Sequence, residues 1–124
     1  ETDPLLPWNN YGWSKLGGES SVQMFKNSLI LRTCMTEKPF VHKKAFANMK
    51  TNFMFQENLA KNLYKLINLK GIINIGGKVQ SVYNFAKKHN TQVKKIFASK
   101  SQQKQFPLNS TMNILKFKKI IQKK

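Results

Sequence analysis

Hydrophobic residues follow a strand-like pattern in the first third of the chain. The segment SLILRTCMT at residues 28–36 is rich in residues that favour β-structure. The segment is followed by Glu37, Lys38 and Pro39, a combination typical of a turn. The pattern predicts one strand within residues 22–36.

The spacing becomes helical in the middle of the chain. Phe55, Leu59, Leu63 and Leu66 recur at helical intervals, with lysines and asparagines between them. Gly71 then supplies a residue suited to the left-handed end of a helix. The pattern predicts an amphipathic helix over residues 52–69, with Leu63 on its buried face.

Shorter helices are expected on both sides. Pro39 can open a helix with Val41, Ala45 and Met49 on one face. After a short buried connection at residues 71–77, two helices at 78–89 and 91–99 form a hairpin that resembles small three-helix nucleic-acid-binding modules. Residues 112–122 fit either a last helix or a strand.

The two ends of the chain differ from its middle. Prolines and glycines interrupt residues 1–21, which predicts an extended arm whose aromatic side chains contact a partner. Those side chains are Trp8, Tyr11 and Trp13. We therefore divide the chain into an arm (1–21), a small domain (22–99) and a basic linker and tail (100–124). The expected fold class is mostly α, a small helical domain with one possible strand.

Charge is distributed unevenly. The net charge is +17, and the last acidic residue is Glu57, after which 15 lysines follow without any Asp or Glu. Unrelieved like charge opposes compaction, so a polyanion that neutralises the lysines is the simplest explanation. The predicted RNA-binding residues are Lys61, Lys65, Lys78, Lys87, Lys88, Lys94, Lys95, Lys116, Lys118, Lys119, Lys123 and Lys124.

Few residues are suited to catalysis or metal binding. With one cysteine and two histidines, neither a cysteine zinc site nor a Cys–His nucleophile is indicated. GIINIGGK at residues 71–78 has nearly the spacing of a phosphate loop, but Val79 replaces the Ser or Thr that would hold magnesium. Gly76 and Gly77 could still hold a phosphate of RNA. We expect no enzymatic activity, catalytic residue, metal, cofactor or small-molecule substrate.

A compact domain with an aromatic arm and a lysine-rich tail resembles mitochondrial ribosomal proteins. The resemblance implies a structural role in a ribonucleoprotein of the mitochondrial matrix, with rRNA and neighbouring ribosomal proteins as partners and no homo-oligomer. Two alternatives stay open. One is an accessory subunit of a mitochondrial membrane complex, respiratory or ATP synthase, that has no transmembrane segment of its own. The other is a helix-turn-helix DNA-binding protein.

Overall fold

Helices and strands are mixed along the chain. The computed structural model describes residue 1 and residues 5–122. Its elements are α1 (Asn10–Gln23), β1 (Leu29–Thr33), β2 (Met35–Thr36), β3 (Lys44–Phe46), β4 (Lys50–Thr51), β5 (Met54–Phe55), α2 (Gln56–Leu63), β6 (Gly71–Ile75), β7 (Gln80–Ser81), α3 (Val82–His89), β8 (Lys94–Ile96), α4 (Lys100–Gln103) and α5 (Leu115–Gln122). With 35% helix, 21% strand and parallel strand pairs, the predicted mostly-α class is wrong.

Strands pair across long stretches of sequence. β1 runs parallel to β6, in a register from Leu29 opposite Gly71 to Thr33 opposite Ile75. β2 pairs with β5 and β3 with β8, also in parallel, while β4 and β7 are antiparallel. Parallel strands need a crossover connection, usually through a helix, and α2 lies between β1 and β6 in this way. The one predicted strand corresponds to β1 and β2, although residues 22–23 of the predicted segment belong to α1.

The predicted connection at residues 71–77 is instead largely strand β6. Gly71 begins it with a positive φ of 86°, and Ile73, Asn74 and Ile75 are buried. A strand covered on both faces has a continuous apolar sequence rather than an alternating one. That lack of alternation made GIINI resemble a connection.

Buried side chains form two clusters. The first joins residues of β3, β5, α3 and the segment before β8, and it consists of Phe40, Ala45, Phe55, Phe85, Ala86 and Val93. The second joins β6 to the segment after α2 and to α5, and it consists of Leu66, Ile73, Ile75 and Phe117. Asn52, which is fully buried, donates its side-chain amide to the Gly77 carbonyl at 3.2 Å, and its Oδ1 accepts from the Met112 amide at 2.5 Å.

The middle helix is shorter than predicted. α2 ends at Leu63, and a tight turn follows, in which the Leu66 amide donates to the Leu63 carbonyl at 2.9 Å. The turn directs Leu66 into the second cluster and leaves Leu63 40% exposed. The prediction of Leu63 as a core residue is therefore wrong, and Leu66 is the buried leucine.

Two predicted short helices are strands. Residues 44–46 and 94–96 pair with each other as β3 and β8, and Ala45 is buried at this pairing. The helix-turn-helix is absent because Asn90 leaves α3 in an extended conformation, with φ of −145°. Apolar residues that suited one face of a short helix also suit strands buried by their partners.

The C-terminal alternative is settled in favour of a helix. α5 places Phe117 in the second cluster, with Ile120 and Ile121 packed against it. Within residues 5–122, no helix combines the length and apolarity that a membrane span requires. The three-part division of the chain stays a prediction, although residues 10–21 are helical rather than extended. Residues 2–4 of the predicted arm lie outside the described residues.

Candidate active site

Helix α1 forms despite three internal glycines. Asn9 caps its first turn, because its side-chain oxygen accepts from the Gly12 amide at 2.9 Å. Gly12 also lets the helix approach Pro7, since an added Cβ would lie 3.2 Å from the Pro7 Cβ. Trp8 and Asn9 donate their side-chain N–H groups to the Lys104 and Gln105 carbonyls. These contacts fix the start of the helix.

None of the side chains of α1 is buried. Tyr11 and Trp13 are 70% and 61% exposed, and the helix has no continuous apolar face against the two core clusters. A helix held by its ends, with aromatic residues in solvent, is typical of an element that serves a binding or catalytic site rather than the core.

Tyr11 and Lys15 are neighbours on α1. They lie one helical turn apart, and the Lys15 Nζ is 5.3 Å from the centre of the Tyr11 ring. Both side chains are exposed. A phenol can donate a proton, and a nearby ammonium stabilises the negative charge left on its oxygen. The pair can therefore serve as a proton donor with a supporting cation.

A cavity of about 250 Å³ lies beside Lys15. Lys15, Gly12 and Leu16 of α1 line it, together with Leu5, Leu6, Pro7, Glu19 and Arg32. Arg32 donates to Glu19 from Nη2 at 2.6 Å and from Nε at 3.0 Å. These hydrogen bonds lower the pKa of the Glu19 carboxyl and raise that of Arg32. The ion pair joins α1 to β1 and fixes one wall of the cavity.

The sequence interpretation missed this site because it treated the glycines as helix breakers. Tyr11 was predicted to contact a partner from an extended arm, together with Trp8 and Trp13. The tyrosine-to-lysine spacing of four, which places both side chains on one helical face, was the signal that could have found it. Contact of the three aromatic residues with a partner stays a prediction.

The glycine pair after β6 does not hold a phosphate. The Gly77 amide donates to the Asn52 carbonyl at 2.7 Å and so is not free for an anion. A Cβ on Gly76 would lie 2.7 Å from the Asn52 Cβ, and one on Gly77 would collide with the Phe53 carbonyl oxygen. The glycines are therefore needed for close backbone packing, which corrects the hypothesis of a phosphate cradle.

The predicted RNA-binding lysines lie in several different environments. Lys65 and Lys116 donate to the Ile121 and Ile72 carbonyls at 3.0 and 2.6 Å, which joins elements around the second cluster. Four others line a single groove: Lys78, Lys87, Lys88 and Lys95. Another four are exposed and lie outside that groove: Lys61, Lys94, Lys118 and Lys119. Lys123 and Lys124 lie outside the described residues.

Metal chemistry has no support among residues 1 and 5–122, which contain no group of three or more His, Cys, Asp or Glu side chains able to hold an ion. His89 packs against Phe55 and Phe85, with ring centres 4.6 and 5.2 Å apart. His42 lies against Phe40. These contacts give both histidines a packing role.

Comparison with known proteins shows similarity to reductases. No protein-family model matches the sequence, and no curated protein matches it. The crystal structure of a hypothetical dTDP-4-dehydrorhamnose reductase from Sulfolobus tokodaii is 25% identical, with a TM-score of 0.80 over 98% of this chain and 52% of that one. The dTDP-4-dehydrorhamnose reductase of Bacillus anthracis str. Ames, solved in complex with NADP, is 21% identical, with a TM-score of 0.77 over 95% and 51%. The chain thus spans about half the length of both.

These similarities contradict the functional predictions from the sequence. The interpretation as a mitochondrial ribosomal protein with rRNA and ribosomal partners is wrong, and neither alternative is supported. The expectation of a non-enzymatic protein is also contradicted, because both structural neighbours are reductases. The mitochondrial location stays an untested prediction. By fold, the chain is similar to one half of a dTDP-4-dehydrorhamnose reductase.

Proposed function

We propose that this chain is the proton-donating half of a carbonyl reductase that acts on a keto sugar attached to a nucleotide. The observation that carries the proposal is the Tyr11–Lys15 pair, which is exposed on α1 with Lys15 at the edge of a cavity. The names of the structural neighbours supply the substrate class.

Reduction of a ketone to an alcohol needs a hydride at the carbon and a proton at the oxygen. The Tyr11 hydroxyl is placed to donate that proton, because the side chain projects into solvent where a substrate can reach it. Lys15 positions and supports the donor, since its ammonium lies 5.3 Å from the centre of the ring that carries the hydroxyl. The backbone of this turn is held by Asn9 at its start.

The glycine-rich turn that commonly holds the dinucleotide cofactor of such a reduction is absent from residues 1–124. The sequence contains no G-x-G-x-x-G segment, and the Gly76–Gly77 turn is closed by Asn52 and Phe53. NADPH would supply the hydride to the carbonyl carbon when it is bound.

The proposal is tested by replacing the proton donor. In the full-length protein that contains this chain, Tyr11→Phe should reduce kcat about 10²- to 10⁴-fold, measured as NADPH oxidation with a dTDP-linked 4-keto sugar. Lys15→Met should also reduce kcat, and Lys15→Arg should restore part of it.

A matched control lies in the turn directly after α2. Tyr64 is 66% exposed, and the Lys65 Nζ lies 5.9 Å from the centre of its ring. Tyr64→Phe should leave kcat unchanged. If Tyr11→Phe keeps kcat within about threefold of the wild type, Tyr11 is not the proton donor and the proposal fails.

A further inference from the structure

A second and larger cavity lies away from the residues that line the first one. This groove of about 730 Å³ is formed between β4, β7, α3 and β8. No residue that lines it is acidic, and five are lysines: Lys50, Lys78, Lys87, Lys88 and Lys95. Four of these come from sequence positions that are far from Lys50, so the fold itself brings the charges together.

The lysines of this groove are not neutralised within residues 1 and 5–122. The ion pairs of that part of the chain join Arg32 to Glu19 and Lys38 to Glu57. Lys87 donates to the Thr91 carbonyl at 2.7 Å, and the Lys95 Nζ lies 5.4 Å from the centre of the Tyr83 ring. Neither contact removes a charge. Five ammonium groups around one concavity therefore repel each other unless an anion enters.

The groove also offers neutral recognition groups. Tyr83 lines it with a half-buried ring, while Gln80 and Asn84 contribute amide side chains. A volume of about 730 Å³ lies in the usual range for small-molecule sites. Lysine acts as a point charge that suits phosphate oxygens without requiring one fixed geometry.

We propose that this groove binds a small anion that carries two or more linked phosphate groups. Two adjacent phosphates would place several negative charges among the five ammonium groups, which one carboxylate cannot do. An aromatic or sugar group attached to the phosphates would lie against Tyr83. The site uses neither Tyr11 nor Lys15, so the proposal stands independently of the proposed reduction.

Binding of inorganic pyrophosphate to the whole chain tests the site. We expect saturable binding by calorimetry, weakened about 10- to 100-fold in the double variant Lys78→Gln/Lys88→Gln, because each lost lysine removes a charged contact. The matched control, Lys61→Gln/Lys118→Gln, removes the same charge from outside the groove and should change the affinity less than about threefold.

Two sources of the linked phosphates can be separated in the same experiment. A nucleoside diphosphate and NADP should each displace pyrophosphate, and the tighter competitor identifies which class of molecule the groove selects. The proposal is overturned if pyrophosphate does not saturate, or if the control loses as much affinity as the groove variant. Binding of a long single-stranded oligonucleotide that pyrophosphate cannot displace would also overturn it, since the lysines would then form a nucleic-acid surface.

Discussion

Arg32 in β1 holds Glu19 in α1 through two hydrogen bonds, from Nη2 at 2.6 Å and from Nε at 3.0 Å. The Glu19 carboxylate also accepts from Gln23 at 3.0 Å, and the Arg32 Nη1 donates to the Glu1 carbonyl at 3.4 Å. The side chains of Glu19 and Arg32 are only 11% and 19% exposed, respectively. This pair joins the helix that carries Tyr11 and Lys15 to the parallel strands.

Glu19→Gln should lower the free energy of unfolding by about 1–3 kcal/mol near neutral pH, because a charged hydrogen-bonding pair loses one partner. Arg32 lowers the pKa of Glu19 below its ordinary value of 4.5. The stabilising contribution is therefore complete above pH 4.5 and disappears as the pH falls through the folded-state pKa. Denaturant unfolding of both proteins across this range measures it. If the difference in unfolding free energy between the wild type and Glu19→Gln stays constant down to the most acidic pH, the ionised Glu19 carboxylate is not the source of the stabilisation.

Gly77→Ala should destabilise the protein by at least about 2 kcal/mol, because the new Cβ would collide with the Phe53 carbonyl oxygen and backbone cannot easily move away. Gly17→Ala is the matched control. It lies within α1 with no atom within 4 Å of an added Cβ, so the change should stabilise the protein by about 0.5–1 kcal/mol. Thermal unfolding of the two variants should shift in opposite directions, and a shift in the same direction would refute the argument.

Leu66→Ala should reduce the free energy of unfolding by about 2–5 kcal/mol, because Leu66 is fully buried in the second cluster. Leu63→Ala removes the same atoms from a side chain that is 40% exposed. We expect Leu63→Ala to reduce the free energy of unfolding by less than half as much as Leu66→Ala does. Urea unfolding compares the two, and equal losses would mean that α2 continues as a regular helix beyond Leu63.

Asn52→Leu should reduce the free energy of unfolding by about 2–4 kcal/mol, although the Asn and Leu side chains have similar volumes. The change leaves the Met112 amide and the Gly77 carbonyl without the partners that Asn52 gives them. Thr51 provides a comparison, since it is also buried but contacts Cys34 through a single 2.9 Å side-chain interaction. Thr51→Val should reduce the free energy of unfolding by less than Asn52→Leu does, measured by chemical denaturation. A larger loss for Thr51→Val would show that Asn52 is not the central polar residue.

Sequence patterns predicted the elements whose residue composition or spacing clearly favours one type of structure. The strand at residues 28–36 and the helix α3 appear close to where their residues predict them. β3, β6 and β8 could not be identified from local patterns, because each is a short strand stabilised by a partner more than 40 residues away. For such strands the long-range pairing outweighs local helical spacing.

The candidate active site was not predicted from the sequence for a related reason. Glycines at positions 12, 17 and 18 lower the intrinsic tendency of α1 to be helical, and contacts with Lys104, Gln105 and Arg32 compensate. None of these distant contacts can be inferred from residues 1–21 alone. The lysine excess was detected, but the sequence could not show that four of the predicted lysines surround one concavity.

Under the proposed function, the residues of α1 that carry the chemistry, Tyr11 and Lys15, are distinct from the residues that form the two hydrophobic clusters. Substitutions at Tyr11, Trp13 or Lys15 leave both hydrophobic clusters intact, so screens for expression or heat resistance would not detect them. The outer face of α1 can therefore change in evolution or in engineering without any loss of the folded chain, and only an assay of turnover would record the change.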